Sequence, residues 1–452
     1  MEVNQRRILV AGMARSGIGA AKLLLKHGAH PVLADSKPRE SFGDALDDLE
    51  RAGCETRLGE DQLKLLENVD GVVISPGIPI QSPLVKRAKE LGLPLIGEME
   101  LGAEFLPGLM VAITGTNGKT TTTTLTRDIF RDAGFVAYAA GNIGYPVSEV
   151  AASDGPVEVT VIEVSSFQLE SIESFHPHAA ALLNITEDHL NRHGTMAEYI
   201  RMKARIFENQ TTEDFAILNG EDPLVMDLAK EIKSRICLFS RTREVALGTC
   251  VKDGWIVWME NGEATPICPA DHLLIPGPHN LENALAAAAM AYVCGVSPEN
   301  IRKTLETFQG VEHRIETVRT VDGVTYINDS KGTNVDSTIK AVQSMKAPTV
   351  ILLGGYDKHT DFMPLCREMV QSPWISHAVV MGDTADQITR QLGEAGYTAI
   401  TRADNMRDAI LKGKKLAVEG GNVLLSPACA SFDAFKDFEE RGRVFKQIVN
   451  EL

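Results

Sequence analysis

The segment Thr114-Gly115-Thr116-Asn117-Gly118-Lys119-Thr120-Thr121 carries the clearest chemistry in the chain. It follows a short apolar run and opens a helical one. Backbone N–H groups of such a loop, and of the helix N-terminus behind it, can surround a phosphate. Lys119 is placed to reach the β- and γ-phosphates of a nucleotide, and the Thr120 hydroxyl to ligate Mg2+. The ordinary P-loop spacing would put a glycine at 113, where this chain has Ile113, so the loop is a shortened variant. A strand-to-helix turn that happens to hold Gly and Lys is the plain alternative, and the flanking strand and helix favour phosphate.

Three further regions hold groups that could act. Gly12-Met13-Ala14-Arg15-Ser16-Gly17 has Ala where a dinucleotide fingerprint has its second glycine. That Cβ would keep the backbone away from a pyrophosphate, yet Asp35 ends the next strand, where it could meet a ribose. The turn alone leaves open an NAD(P) site or a turn without ligand. Glu163 ends an apolar strand beside the P-loop strand and is placed to bind Mg2+, directly or through water; a solvated carboxylate is the alternative. Asn184 to Gly194 packs Glu187, Asp188, His189, Arg192 and His193 into one loop, which points to a metal or phosphate role. Farther on, Asp329-Ser330-Lys331, Gly354-Gly355-Tyr356-Asp357-Lys358 and Ser426-Pro427 each fall at a strand's carboxyl end, where open α/β sheets bind ligands. Ser431 reads as the N-cap of the final helix.

The elements that must position these groups alternate. Apolar strands at Ile8–Ala11, Pro31–Ala34 and Gly71–Ile74 are separated by helical stretches, which implies parallel pairing through crossovers. A second series starts at Met110–Thr114 and continues through a helix at Lys119–Ala133 and strands at Val157–Glu163 and Ala179–Leu183. Thr195 to Glu198 matches a capping box, predicting a helix to Phe207, and Gly254–Gly262 reads as an exposed hairpin. Ala284–Val296 is too short to cross a bilayer and reads as a buried helix. A third series begins near His313. The expected fold is α/β in three domains: 1–97 Rossmann-like, 98–312 a P-loop ATPase-type parallel sheet, and 313–452 Rossmann-like.

Composition narrows the function. The chain has 452 residues, 45 Lys+Arg and 61 Asp+Glu, a formal charge of −16. That excess of acid argues against a nucleic-acid or anionic-membrane surface. Seven scattered cysteines without a CxxC argue against a disulfide framework or thiolate metal site. A soluble, cytoplasmic, monomeric protein without membrane insertion is expected.

Four segments together resemble the Mur ligase family, the ATP-dependent amino-acid-adding enzymes of peptidoglycan precursor synthesis. They are Gly115 to Thr120, Gly277-Pro278-His279-Asn280-Leu281-Glu282-Asn283, His313-Arg314-Ile315-Glu316, and Asn328-Asp329-Ser330-Lys331-Gly332-Thr333-Asn334. Within the family, Ser75 to Pro79, Ser165 to Glu170, Asn184 to Gly194 and Ser426 to Asp433 look like the branch that adds D-glutamate to UDP-N-acetylmuramoyl-L-alanine. The resemblance implies that ATP phosphorylates a carboxylate and that the glutamate amine attacks the acyl phosphate. It implies phosphate binding by Gly115, Thr116, Asn117, Gly118, Lys119, Thr120 and Thr121. Asn283 would contact adenine, with Arg314 and Asp329 on ribose or phosphate. The nucleotide sugar would meet Arg15, Ser16, Asp35, Ser36, Lys37 and Ser75, and its muramoyl-alanine end Asn142 and Ser165. D-glutamate would meet Lys331, Thr333, Lys358, Ser431 and Phe432. Two Mg2+ sites are expected, on Thr120 and Glu163 and on His189 with Lys203, the latter carrying a CO2-derived carbamate. Competing readings are another amide-forming ligase of this fold, such as folylpolyglutamate synthetase, an NAD(P) oxidoreductase, and a non-catalytic nucleotide switch.

Overall fold

The computed structural model describes residues 1–39, 42, 46–357 and 360–452. It is α/β, with three sheets. The first has five parallel strands in the spatial order Glu55–Leu58, His30–Asp35, Arg7–Ala11, Gly71–Ile74, Leu95–Gly97. Ile8 to Ala11 are all buried, as expected of a parallel strand covered on both faces. The helix Arg15–Lys26 begins directly beyond that strand. Gly17 permits this approach, because a Cβ there would lie 1.9 Å from the Gly12 carbonyl oxygen.

The second sheet has nine strands. Seven run parallel in the order Ala137–Gly141, Val159–Glu163, Leu109–Thr114, Ala179–Leu182, Phe215–Asn219, Arg235–Ser240, Gly248–Lys252. Trp255–Glu260 and Glu263–Pro269 extend it antiparallel. The P-loop strand Leu109–Thr114 is therefore interior, flanked by Val159–Glu163 and Ala179–Leu182. The edge strand Ala137–Gly141 was not anticipated from sequence, its small residues giving weak strand signal.

Two local expectations need correction. Gly254–Gly262 is not an exposed hairpin: Trp255–Glu260 pairs on both sides, Ile256 to Met259 are buried, and Trp258 stacks on Tyr292 at 4.4 Å. The capping box at Thr195 is half formed. The Thr195 hydroxyl accepts from the Glu198 N–H, but the Glu198 carboxylate turns outward to Arg201. The helix itself runs Met196–Ala204 and tightens into a 3-10 turn at Arg205–Phe207.

The third sheet has the order Glu316–Val321, Val324–Asn328, Asn422–Leu425, Thr349–Leu353, Ile375–Val380, Ile400–Arg402, parallel but for its first pair. The chain groups into two compact units: Met1–Leu273 with Glu282–Phe308, and Leu274–Leu281 with Gln309–Leu452. The first two sheets share the first unit. No helix among the described residues is long and apolar enough to cross a membrane.

Within the helix Pro278–Val293, Ala284 to Ala291 are fully buried. Small side chains let this helix lie close against its neighbours, leaving no room for growth. Ala287→Leu is expected to destabilise the protein by about 1–3 kcal/mol in chemical denaturation, through overpacking.

Candidate active site

The P-loop is built by two glycines and one neighbouring loop. Gly115 and Gly118 adopt φ of 153° and 84°. A Cβ on Gly118 would lie 2.3 Å from Asn283 Oδ1, so the loop passes directly against that side chain. The loop after Ala179–Leu182 is tied to it. The Asn117 N–H donates to Asn184 Oδ1 at 2.8 Å, and Asn184 Nδ2 donates to the Asn117 carbonyl at 3.1 Å. The Thr116 hydroxyl donates to the Thr186 carbonyl at 3.1 Å and accepts from its N–H at 3.0 Å. Thr120 and Thr121 are buried on the first turn of the helix Lys119–Asp132, and Thr121 Oγ1 has no protein partner.

Two lysine side chains converge on one carbonyl oxygen. Lys119 Nζ donates to the Gly115 and Thr116 carbonyls at 2.9 and 2.8 Å, and Lys203 Nζ donates to Gly115 at 2.8 Å. Lys203 is buried, 4.7 Å from the centroid of the Tyr199 ring. Burial above all, and then the Lys119 charge, holds its pKa well below the ordinary lysine value, with Asp188 and Glu163 opposing. A lysine so placed gives up its proton readily. Tyr199 completes the wall: its hydroxyl lies 3.1 Å from that of Thr116, and burial pushes the phenol up.

Glu163 ends its strand opposite Ile113 of the P-loop strand. One carboxylate oxygen accepts from Asn142 Nδ2 at 2.8 Å; the other is buried without a protein donor. A buried carboxylate oxygen with no donor, beside a phosphate loop, fits a hard divalent cation. The two loop histidines part company. His193 is packed inside, its Nε2 2.9 Å from Ser166 Oγ, and burial lowers its pKa. His189 takes a left-handed φ of 54°, is 37% exposed, and packs edge-on to Phe167 at 4.7 Å. Ser165 caps the short helix Ser166–Leu169 in a full capping box with Gln168.

At the first sheet, Asp35 shapes the turn. Its carboxylate accepts from the N–H groups of Met13 and Lys37 at 2.8 and 3.0 Å. Ser75 Oγ donates to the Gly12 carbonyl at 3.1 Å. Arg15, Ser36 and Lys37 are exposed around this turn and Ser16 is half-buried.

In the C-terminal unit, Asp329 is buried and accepts from Ser426 Oγ at 2.6 Å and from the Ile315 N–H at 3.3 Å. Burial raises its pKa to about 6, with Arg314 as the main opposing charge. Arg314 Nε is itself buried without a partner. Lys331 Nζ lies 4.9 Å from the Phe438 ring centroid. Thr333 is half-buried beside it, its N–H donating to the Lys331 carbonyl at 2.8 Å. Phe432 is 64% exposed, edge-on to Tyr356 at 6.0 Å. Lys358 lies outside the described residues. Ser431 does not cap the final helix. Asp437 does, accepting from the Glu440 N–H at 2.7 Å, while the Ser431 carbonyl closes a turn with Ala434 and Phe435.

Sequence reasoning missed Arg441, which is 1% exposed. Its guanidinium donates to Ser330 Oγ at 3.0 Å, the Ser330 carbonyl at 2.8 Å and the Ala430 carbonyl at 3.1 Å, joining two ligand-end loops. On an amphipathic helix it reads as a surface charge. Asn184 was inside a flagged loop but carried no individual signal.

A phosphate loop entering a helix from an interior parallel strand, with a strand-end carboxylate beside it, defines a P-loop nucleotide-binding enzyme of α/β class. Family models match in the same order: a Mur ligase MurD-like N-terminal domain over residues 6–97, a Mur ligase middle domain over 113–291 and a Mur ligase glutamate ligase domain over 313–429. The UDP-N-acetylmuramoylalanine–D-glutamate ligase of Pelotomaculum thermopropionicum is 46% identical, over 100% of this chain and 99% of its own. This chain belongs to the Mur ligase family. The fold is also that of a pseudomurein peptide ligase type C from Methanothermus fervidus (TM-score 0.63, 17% identity, 99% of both chains). The UDP-N-acetylmuramate–alanine ligase of Thermotoga maritima gives a TM-score of 0.61 at 19% identity over 99% of both chains.

Asp329 makes a pH prediction. Its carboxyl keeps its proton up to about pH 6 when folded, against 3.8 for an ordinary aspartate, so the folded state binds the extra proton in between. Its contribution to stability is greatest below the lower value and is lost as pH rises to about 6. Asp329→Asn should remove this decline, so its stability relative to the parent, from denaturation series, should grow across that window and then level.

Proposed function

We infer that the chain is an ATP-dependent ligase that joins D-glutamate to UDP-N-acetylmuramoyl-L-alanine, releasing ADP and phosphate. The observation that carries the chemistry is the convergence of Lys119 and Lys203 on the Gly115 carbonyl, next to the donor-free oxygen of Glu163. At such a site Lys119 would bring positive charge to the phosphates of ATP, and Glu163 with a modified Lys203 would offer oxygens to a divalent cation. Full-length likeness to enzymes named for D-glutamate addition supports the choice of acceptor.

A carboxylate is a poor acyl donor at neutral pH. Transfer of the γ-phosphoryl group of ATP to the donor carboxylate makes an acyl phosphate. The glutamate amine then attacks its carbonyl carbon, a tetrahedral intermediate forms, and phosphate leaves. Lys119 swings from its two carbonyls to the phosphates, and the Gly115–Gly118 backbone cradles them. Thr120 and Glu163 would hold one Mg2+, and His189 with a Lys203 carbamate a second. Bound there, the cations would offset charge on the phosphates and the donor carboxylate. Asn142 orients Glu163. Asn283 contacts adenine beside Gly118, and Arg314 and Asp329 contact ribose or phosphate. Ser165 and Asn142 meet the muramoyl-alanine end. Arg15, Ser16, Asp35, Ser36, Lys37 and Ser75 hold the uridine diphosphate, Asp35 through the turn it shapes. Lys331, Thr333, Lys358, Ser431 and Phe432 hold glutamate. Since the phosphate loop and the glutamate groups fall on different compact units, turnover includes a domain closure, with 308–312 as the bending segment.

Phosphate release with the nucleotide sugar and D-glutamate tests the reading. Release that requires L-glutamate, D-alanine or L-lysine instead would overturn it. The depressed pKa of the buried Lys203 supports a carbamate there, because only the neutral amine adds CO2. Lys203→Ala is expected to fold, to bind ATP and to lose most activity, with partial recovery in short-chain carboxylic acids. Labelled CO2 that leaves no carbonyl signal on the wild-type protein, in carbon NMR, would refute the modification.

A further inference from the structure

The groups for the donor's uridine diphosphate end and the phosphate groups for ATP lie on two different sheets of one compact unit, and something must hold them at a working distance. We propose that Ser148 is a positioning residue that sets this distance, held by Glu98 and wedged between Gly19 and Gly102. The proposal rests on the functional reading above.

Ser148 belongs to the short helix Val147–Ala151, a few residues beyond Asn142, which is bonded to Glu163. Glu98 opens the helix Glu98–Phe105 that leaves the last strand of the first sheet. Its Oε1 accepts both the Ser148 N–H at 2.8 Å and the Ser148 hydroxyl at 2.5 Å. The carboxyl is fully buried, and burial raises its pKa against the pull of these two bonds. Two glycines let the helices close on this serine. A Cβ on Gly102 would lie 2.5 Å from Ser148 N, and one on Gly19 would lie 2.7 Å from Ser148 Oγ. Gly19 is one turn along the helix Arg15–Lys26, whose N-terminus presents Arg15 and Ser16.

Three helices therefore meet on one side chain. One carries the donor-binding turn, one leaves the first sheet, and one leads back to Asn142 and Glu163. A plain apolar contact would hold domains together without fixing register. A buried carboxyl group is costly unless its hydrogen-bond partners are in place, so this contact has one geometry. Other ties brace the periphery. Glu100 accepts from the N–H and hydroxyl of Ser174, both at 2.6 Å, and Lys26 donates to the carbonyls of Ala152 and Ser153. Arg192 Nη1 donates to the Pro76 carbonyl at 3.4 Å from the His189 loop, while the Ser148 contact lies on the path from Arg15 and Ser16 to Glu163. Moving it displaces the donor carboxylate relative to the γ-phosphate, and misplacement of about 1 Å costs on the order of 100-fold in rate.

Steady-state kinetics and ATP binding of Glu98→Gln, Glu98→Ala, Ser148→Ala and Gly19→Ala test this. Glu98→Gln keeps an acceptor for Ser148 and should stay within a few-fold of wild type. Glu98→Ala and Gly19→Ala should lose about 10- to 100-fold in kcat/KM for the nucleotide sugar, with the Kd for ATP unchanged. Ser148→Ala, which keeps the N–H bond and is the mildest to fold, should shift the same way by less. Folded Glu98→Ala or Ser148→Ala with wild-type donor kinetics would overturn the proposal. So would equal losses in Glu98→Gln and Glu98→Ala, or an ATP Kd that weakens in parallel, since both are signs of general destabilisation. Wild-type turnover with the nucleotide sugar reports separately on the functional reading.

Discussion

Two lysine side chains share the carbonyl oxygen of Gly115, and the first unit around them is built for that close approach. Two full charges this close, one of them fully buried, would repel strongly without their water, so the buried Lys203 gives up its proton far more readily than an ordinary lysine. The surroundings answer in two ways. Carbonyls of the P-loop and the face of Tyr199 receive the donors, and Asp188 and Glu163 supply opposing charge.

The same constraint explains the tight coupling of loops around the P-loop. Gly118 runs against Asn283, Asn117 is paired with Asn184, and Thr116 with Thr186 and Tyr199. The partners come from three elements, the loop after Ala179–Leu182 and the helices Pro278–Val293 and Met196–Ala204, so the phosphate cradle is held from several sides. Preorganised donors of this kind need not reorganise when charge develops. Glu163 follows the same rule from the acidic side, one oxygen steadied by Asn142 and the other left open.

The C-terminal unit solves a different problem. Its ligand-end loops after Val324–Asn328 and Asn422–Leu425 are both tied by the buried Arg441, while Ser426 holds Asp329. Asp329 and Arg441 sit in one low-dielectric region and depress each other's cost: the acid is raised to about 6 and the guanidinium lowered to about 10, both by burial. Exposed Phe432 and Tyr356 stand at the same end of the sheet.

The sequence alone determined what is local. Strand runs such as Ile8–Ala11 and Gly71–Ile74, the P-loop with its helix, and the buried alanine helix were readable because apolar runs, glycine turns and helix starts are short-range signals. Glu163 and His189 were legible as strand-end and loop groups for the same reason. What only tertiary structure decided depends on partners far away in the chain. The carboxylate of Glu163 is held on one oxygen by Asn142, just past an edge strand whose small residues hid it, and left open on the other. The burial of Trp255–Glu260 needs strands on both sides. Arg441, a surface charge by its spacing, is interior because two loops close over it, and Asp437 rather than Ser431 caps the last helix because the intervening residues form a turn of their own. Burial and pairing of polar groups are long-range facts, since desolvation is set by everything packed around a group and not by its neighbours in sequence.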